Sequence, residues 1–196
     1  MIKVEYDFRE MEAYAASLGA RINQIPFALA TALNRSADVT RQLLIKQTWP
    51  THVTQRNASF IAASLTTKQA RASKQSLSVE IYDKLDRGHL QMQAKGGVRT
   101  PKGKGRLAVP VSGVRRTGKG VVSNLKPRNL KTAVEIRGNL FTREGRGRLK
   151  MVYALKAATK IPKRVPFYED FTTSMERELR RTIPMAVKKA MDTAKR

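Results

Sequence analysis

The sequence predicts an α+β protein: a small, mainly antiparallel sheet carrying an N-terminal helix pair and a C-terminal helix, with long basic, glycine-rich loops. Three observations predict it. Apolar residues step at helical spacing near both ends of the chain. Short alternating segments occupy the middle. Eleven of the 12 glycines lie between Gly88 and Gly147, so turns punctuate the middle and not the ends. The 196 residues fit a single domain, 1–196, with an extended basic loop region at about 95–131.

Taken in order, IKVEY (2–6) alternates and reads as a short strand. Asp7 is positioned to cap a helix over about 8–18, where Phe8, Met11, Ala15 and Leu18 share a face and Gly19 follows the end. A longer helix is expected from about Pro26 to Gln47. Proline suits a first helical turn because its missing N–H has no partner there anyway. Ala30, Leu33, Ala37, Thr40 and Leu44 form a narrow stripe of small and apolar residues, which permits close packing against a sheet or a second helix. Trp49-Pro50 is expected to close this helix, and Asn57 to cap a short one through Leu65.

LSVEIYD (77–83) alternates as a strand. RLAVPV (106–111) is another, and Pro110 places it at a sheet edge because proline cannot donate to a ladder. TAVEIR (132–137), NLFTR (139–143) and RLKMVYAL (148–155) complete the strand set. The EGRG between the last two supplies the glycines that a hairpin turn requires. From about Pro166 the period becomes helical. Phe167, Phe171, Met175, Leu179 and Ile183 step by four, with Arg177, Arg180 and Arg181 off the stripe. Pro184 is expected to kink or break that helix, leaving a second piece over 185–195.

Charge is the dominant compositional fact. Lys and Arg total 39 against 15 Asp and Glu, a net charge of +24. Such a surplus repels itself in a compact monomer and calls for an anionic partner or an acidic assembly. Residues 95–160 alone hold 18 Lys and Arg against two acids, Glu135 and Glu144. The basic residues expected to face DNA or a protein partner are Lys95, Arg99, Lys102, Lys104, Arg106, Arg115, Arg116, Lys119, Arg143, Arg146, Arg148 and Lys150. The absence of cysteine removes disulfides and thiolate metal sites and fits a reducing compartment. MIKVEYD (1–7) carries acids and no long apolar run, so neither a signal peptide nor a membrane span is expected there.

Catalytic patterns do not assemble. GVRRTGKG (113–120) matches G-x-x-x-x-G-K but has Gly120 where a P-loop needs Ser or Thr for Mg²⁺, and it lacks the strand-then-helix context. Asp83 and Asp86 lie beside Lys84 and Arg87. Glu169 and Asp170 fall in a first helical turn, where the helix dipole favours acids without further function. His52 and His89 have no partner in the sequence. The Asn57-Ala58-Ser59 sequon matters only in a secreted protein. The chain is expected to be no enzyme and to need no metal or other cofactor. No aromatic-rich RNP-like strand or zinc knuckle is present, so nucleic-acid contact should be phosphate attraction, independent of sequence and sensitive to salt.

Three stretches in order carry a resemblance: PFALATALNRSADVTRQLL (26–44), AKGGVRTPKGKGRLAVPV (94–111) and LFTREGRGRLKMVYALKAATKIPKRVPFYEDF (140–171), followed by a charged terminal helix. Together they resemble the minor tail protein Z family, the tail-completion proteins of lambda-like and related long-tailed phages and prophages. The resemblance runs from about residue 20 to the end. By position, Arg143, Arg146, Arg148 and Lys150 fall in the family's basic hairpin, and Ile161-Pro162 in the turn before its last helix.

The resemblance implies a structural virion protein that completes the tail at the head–tail interface, or neck. It implies a homo-oligomeric ring, hexameric in the leading expectation, around the DNA channel. Partners would be the tail terminator, tail tube and head–tail connector, with non-specific phosphate contact to the DNA and no membrane. The chain would reside in the host cytoplasm during assembly and then in the virion. The alternative from charge alone is a free, sequence-independent nucleic-acid-binding protein.

Overall fold

The computed structural model describes residues 2–5, 24–68, 70–85, 90–101, 103, 105–118, 120–145 and 147–194. The helix expected over 8–18 lies outside them. The chain forms two compact units. The first comprises residues 1–54, 59–94 and 164–196, and the second residues 55–58 and 95–163.

The first unit is built on two long helices, α1 (Ile25–Leu43) and, at the end of the chain, Phe167–Ala194. They pack against one another. Pro26 occupies the first turn of α1, and the stripe Ala30, Leu33, Ala37, Thr40 and Leu44 is buried along its length. On the opposing helix Phe167, Phe171, Met175, Leu179 and Ile183 are all buried, while Arg177, Arg180 and Arg181 are exposed. The seam between the helices also carries three hydroxyl bonds. Ser36 Oγ pairs with Thr182 Oγ1 at 3.0 Å, Thr40 Oγ1 donates to Ser174 Oγ at 3.0 Å, and Thr48 Oγ1 donates to the Asp170 carboxylate at 2.5 Å. Small residues bring the backbones close, and these pairs satisfy the hydroxyls that closeness buries.

The helix does not stop at Trp49-Pro50. After α1 the chain widens into a π turn over Leu44–Thr48 and resumes as α2 (Trp49–His52). Pro50 has no N–H for the Lys46 carbonyl, and its ring would crowd that carbonyl in a regular α-helix. The wider turn, with Trp49 N–H bonded back to Leu44 O, carries the helix past it. Trp49 is thereby buried, stacked on Phe167 at 6.0 Å between ring centroids. Pro184 does not break the last helix either. Pro184 and Arg180 both lie on its exposed face, the side on which water can serve a carbonyl left without a donor.

After α2 come α3 (Ser59–Ser64), β2 (Leu65–Thr66), β3 (Ser78–Asp83) and α4 (Leu90–Lys95). The first strand, β1 (Ile2–Glu5), pairs antiparallel with β3, and β2 pairs with the other edge, giving the order β1-β3-β2. The polar side of α1 holds the connecting segment. Asn34 Nδ2 donates to Ala72 O and its Oδ1 accepts from Ala72 N–H, both at 2.9 Å. Asp38 pairs with Arg71 through both carboxylate oxygens. Arg41 donates to Leu65 O at 2.6 Å and Ala62 O at 2.8 Å, at the C-terminal end of α3, where a cation suits the helix dipole.

The second unit holds the other strands: β4 (Gly97–Arg99), β5 (Leu107–Pro110), β6 (Arg116–Thr117), β7 (Gly120–Val121), β8 (Val134–Ile136), β9 (Asn139–Glu144), β10 (Arg148–Lys156) and β11 (Thr159–Ile161). Its main sheet runs β5-β10-β9-β8, all antiparallel, with β5 at an edge as Pro110 requires. Two small ladders, β11-β4 and β6-β7, stand apart from it. The described strands thus form four small antiparallel sheets and not one. The stretch expected as long loops at 95–131 contains β4 to β7 and two single 3₁₀ turns, Ser123–Leu125 and Pro127–Asn129.

A bulge at Val152 shifts the β10 register between Met151 and Tyr153. Val152 and Tyr153 are consecutive and both buried. A bulge allows this, since regular alternation would expose one of them. With Val114 they form the unit's small core, packed against Leu125, Leu130 and Leu140. The Arg137-Gly138 turn joining β8 to β9 has positive φ at both residues, 49° and 74°, the geometry of a two-residue hairpin loop. The final helix Phe167–Ala194, α5, returns to the first unit. Among the described residues no helix is long and apolar enough to cross a membrane.

Candidate nucleic-acid interface

Charge separates between the units. The second unit carries twenty Lys and Arg against two glutamates, a surplus of 18 out of the chain's 24. The first unit carries the other nineteen cations against thirteen acids. The unit with the smaller core therefore bears three-quarters of the net charge.

Within it, a cleft of about 440 Å³ opens where β9 and β10 meet the turn after β5 and the 124–132 segment. Four cations line it: Arg115, Lys131, Arg143 and Lys150, all exposed. Asn124, Asn129, Thr132 and Thr142 add neutral polar groups, and Val114, Leu125, Leu130, Met151 and Val152 contribute apolar surface. No carboxylate is among the described lining residues.

Local structure fixes these positions. Val111 N–H bonds to Val152 O, and Val114 N–H closes a turn onto Val111 O, which delivers Arg115 to the rim. Asn129 Nδ2 donates to Ser123 O at 2.7 Å, folding the 3₁₀ turns together ahead of Lys131. The Tyr153 hydroxyl donates to Leu125 O at 2.7 Å and ties that segment to β10. Burial raises the Tyr153 hydroxyl above the usual phenol range, against a smaller opposing pull from the Arg116 charge. Lys150 lies opposite Thr142 on the β9–β10 ladder, one register step from Arg143 opposite Leu149.

The residues expected from sequence divide into groups. Arg115, Arg143 and Lys150 meet in the cleft. Arg106 is paired with Glu135 at 2.6 Å, and Arg116 donates to Pro110 O at 2.9 Å. Lys95 ends α4, Arg99 lies in β4 opposite Thr159, and Arg148 begins β10. Lys102, Lys104, Lys119 and Arg146 lie outside the described residues. Lys131, which follows the second 3₁₀ turn and lines the cleft, is not among the residues expected from sequence.

In the stretch resembling a P-loop, Arg116 of β6 lies opposite Val121 of β7 and Thr117 opposite Gly120. Asp170 accepts from Thr48, and Asp83 accepts from Leu85 N–H at 3.1 Å. His52 Nδ1 lies 2.9 Å from Thr48 O. Asp86 and His89 lie outside the described residues. Among the described residues no group of three or more metal-ligating side chains is gathered. No protein-family model, curated protein or solved structure matches the chain.

Proposed function

We propose that this chain is a structural protein of a phage virion that completes the tail at the head–tail interface. In this reading it forms or joins a ring, hexameric in the leading version, around the DNA channel, and it turns over no substrate. The observation that carries the reading is the segregation of 18 net positive charges onto the small second unit. Duplex DNA presents one phosphate per ~1.7 Å of axis, so a ring encircling it would offset such a surplus, as would acidic tail partners. The three sequence stretches that resemble the tail-completion family add the assembly context. Their residues also have identifiable work: Asn34, Asp38 and Arg41 of the first stretch pin the 62–72 segment.

The charge distribution alone also favours a second reading, a free nucleic-acid-binding protein without sequence preference. Sedimentation separates the two. The purified chain, mixed with tail tubes of the phage that encodes it, is expected to co-sediment with the tubes or to appear as a closed ring of defined mass. A chain that stays monomeric in the presence of tubes and binds only naked DNA removes the virion reading.

A further inference from the structure

We propose that residues 55–58 form a strap that holds the β6–β7 ladder in place, and that Gly118 is the residue that admits it. The strap would act alike whether the second unit meets DNA or a protein.

Residues 55–58 pack with the second unit, although the chain on either side of them, through Thr54 and from Ser59, belongs to the first. They pass the glycine that follows β6. A β-carbon at Gly118 would lie 2.7 Å from the Arg56 carbonyl oxygen, closer than real contacts come, and 3.8 Å from Asn57 Cβ. The obstructing atom is backbone and cannot swing aside as the end of a side chain would. Gly118 is not among the glycines with positive φ, so space and not backbone conformation requires it. An open hollow of about 510 Å³ flanks the crossing, lined by residues 56–58, Thr117 and Gly118.

Gly118 is the second glycine of GVRRTGKG (113–120). In a P-loop, glycines bring backbone N–H groups to a phosphate. Here the group brought to the glycine is a carbonyl oxygen, which repels an anion. The ladder also needs support. It has two residue pairs, Arg116–Val121 and Thr117–Gly120, and stands apart from the main sheet. An isolated two-stranded ladder is marginal at best in water. At its base the Val122 N–H donates to Arg115 O at 3.4 Å, and the Arg116 guanidinium donates to Pro110 O at 2.9 Å. The strap meets the other end, beside Thr117. Whatever frees the ladder therefore also frees Arg115 and Arg116, two of the unit's cations.

Hydrogen exchange of the Val122 amide in the full chain tests the strap. Gly118→Ala should speed it by about tenfold, because a clash of ordinary overpacking size favours local opening by about that factor. Two glycines inserted between Gln55 and Arg56 should speed it too, by slackening the strap while the ladder keeps its own sequence. Gly113→Ala, at a glycine with nothing within 4 Å of the added carbon, should change it by less than about twofold. Protection of the α1 amides checks folding, and the insertion carries the test if Gly118→Ala does not fold. Equal exchange in Gly118→Ala and Gly113→Ala overturns the strap. So does an insertion without effect, which would mean that residues 55–58 do not hold the ladder. A Val122 amide as unprotected in the parent chain as in a free peptide also overturns it.

Discussion

Replacing Phe171 with alanine should destabilise the protein by about 3–5 kcal/mol, the range for truncating a fully buried aromatic side chain. Phe171 has 0% exposure and sits mid-stripe on α5, within the core that also holds Leu29, Leu33 and Met175. The cavity cannot collapse easily, because Ser36–Thr182, Thr40–Ser174 and Thr48–Asp170 fix the spacing of the two helices. A domain of this size loses about 2–4 °C of Tm per kcal/mol, so a drop of roughly 10 °C is expected by calorimetry. A loss below about 1 kcal/mol would mean that α5 does not pack on α1 in this register.

Asn34→Ala should cost about 2–4 kcal/mol, although the side chain is only partly buried. It removes two hydrogen bonds and strands both the N–H and the C=O of Ala72, a residue with 8% exposure. Asn34→Asp should lose a similar amount, since a carboxylate accepts from the Ala72 N–H but opposes its carbonyl. Urea denaturation measures the loss as a lower midpoint at unchanged m. Hydrogen exchange should find the Ala72 amide unprotected in the variant. Protection equal to the parent's would show that Asn34 is not what holds the 70–72 segment.

The helices were legible because their signals are local and repeated. The stripes Ala30–Leu44 and Phe167–Ile183 each return every three or four residues, and a buried face leaves no other reading. Pro110 marked an edge strand for the same reason, since a missing donor has one consequence in a ladder. The prolines at 50 and 184 misled because the penalty of proline depends on what surrounds it. A π turn absorbs one, and exposure of the orphaned carbonyl absorbs the other. The glycine-rich middle hid β4, β6, β7 and β11, whose two- or three-residue ladders depend on partners as far away as Arg99 and Thr159. The cleft was half legible. Arg143 and Lys150 stood out in the basic hairpin, but their meeting with Arg115 and Lys131 depends on the Val152 bulge and the Tyr153 anchor. No spacing in the sequence encodes either.

The most direct measurement of the central claim is a three-dimensional image of the assembled particle with this chain labelled. The account predicts density in a closed ring at the junction of head and tail. A label along the tail shaft, on the capsid, or missing from the mature particle would contradict it.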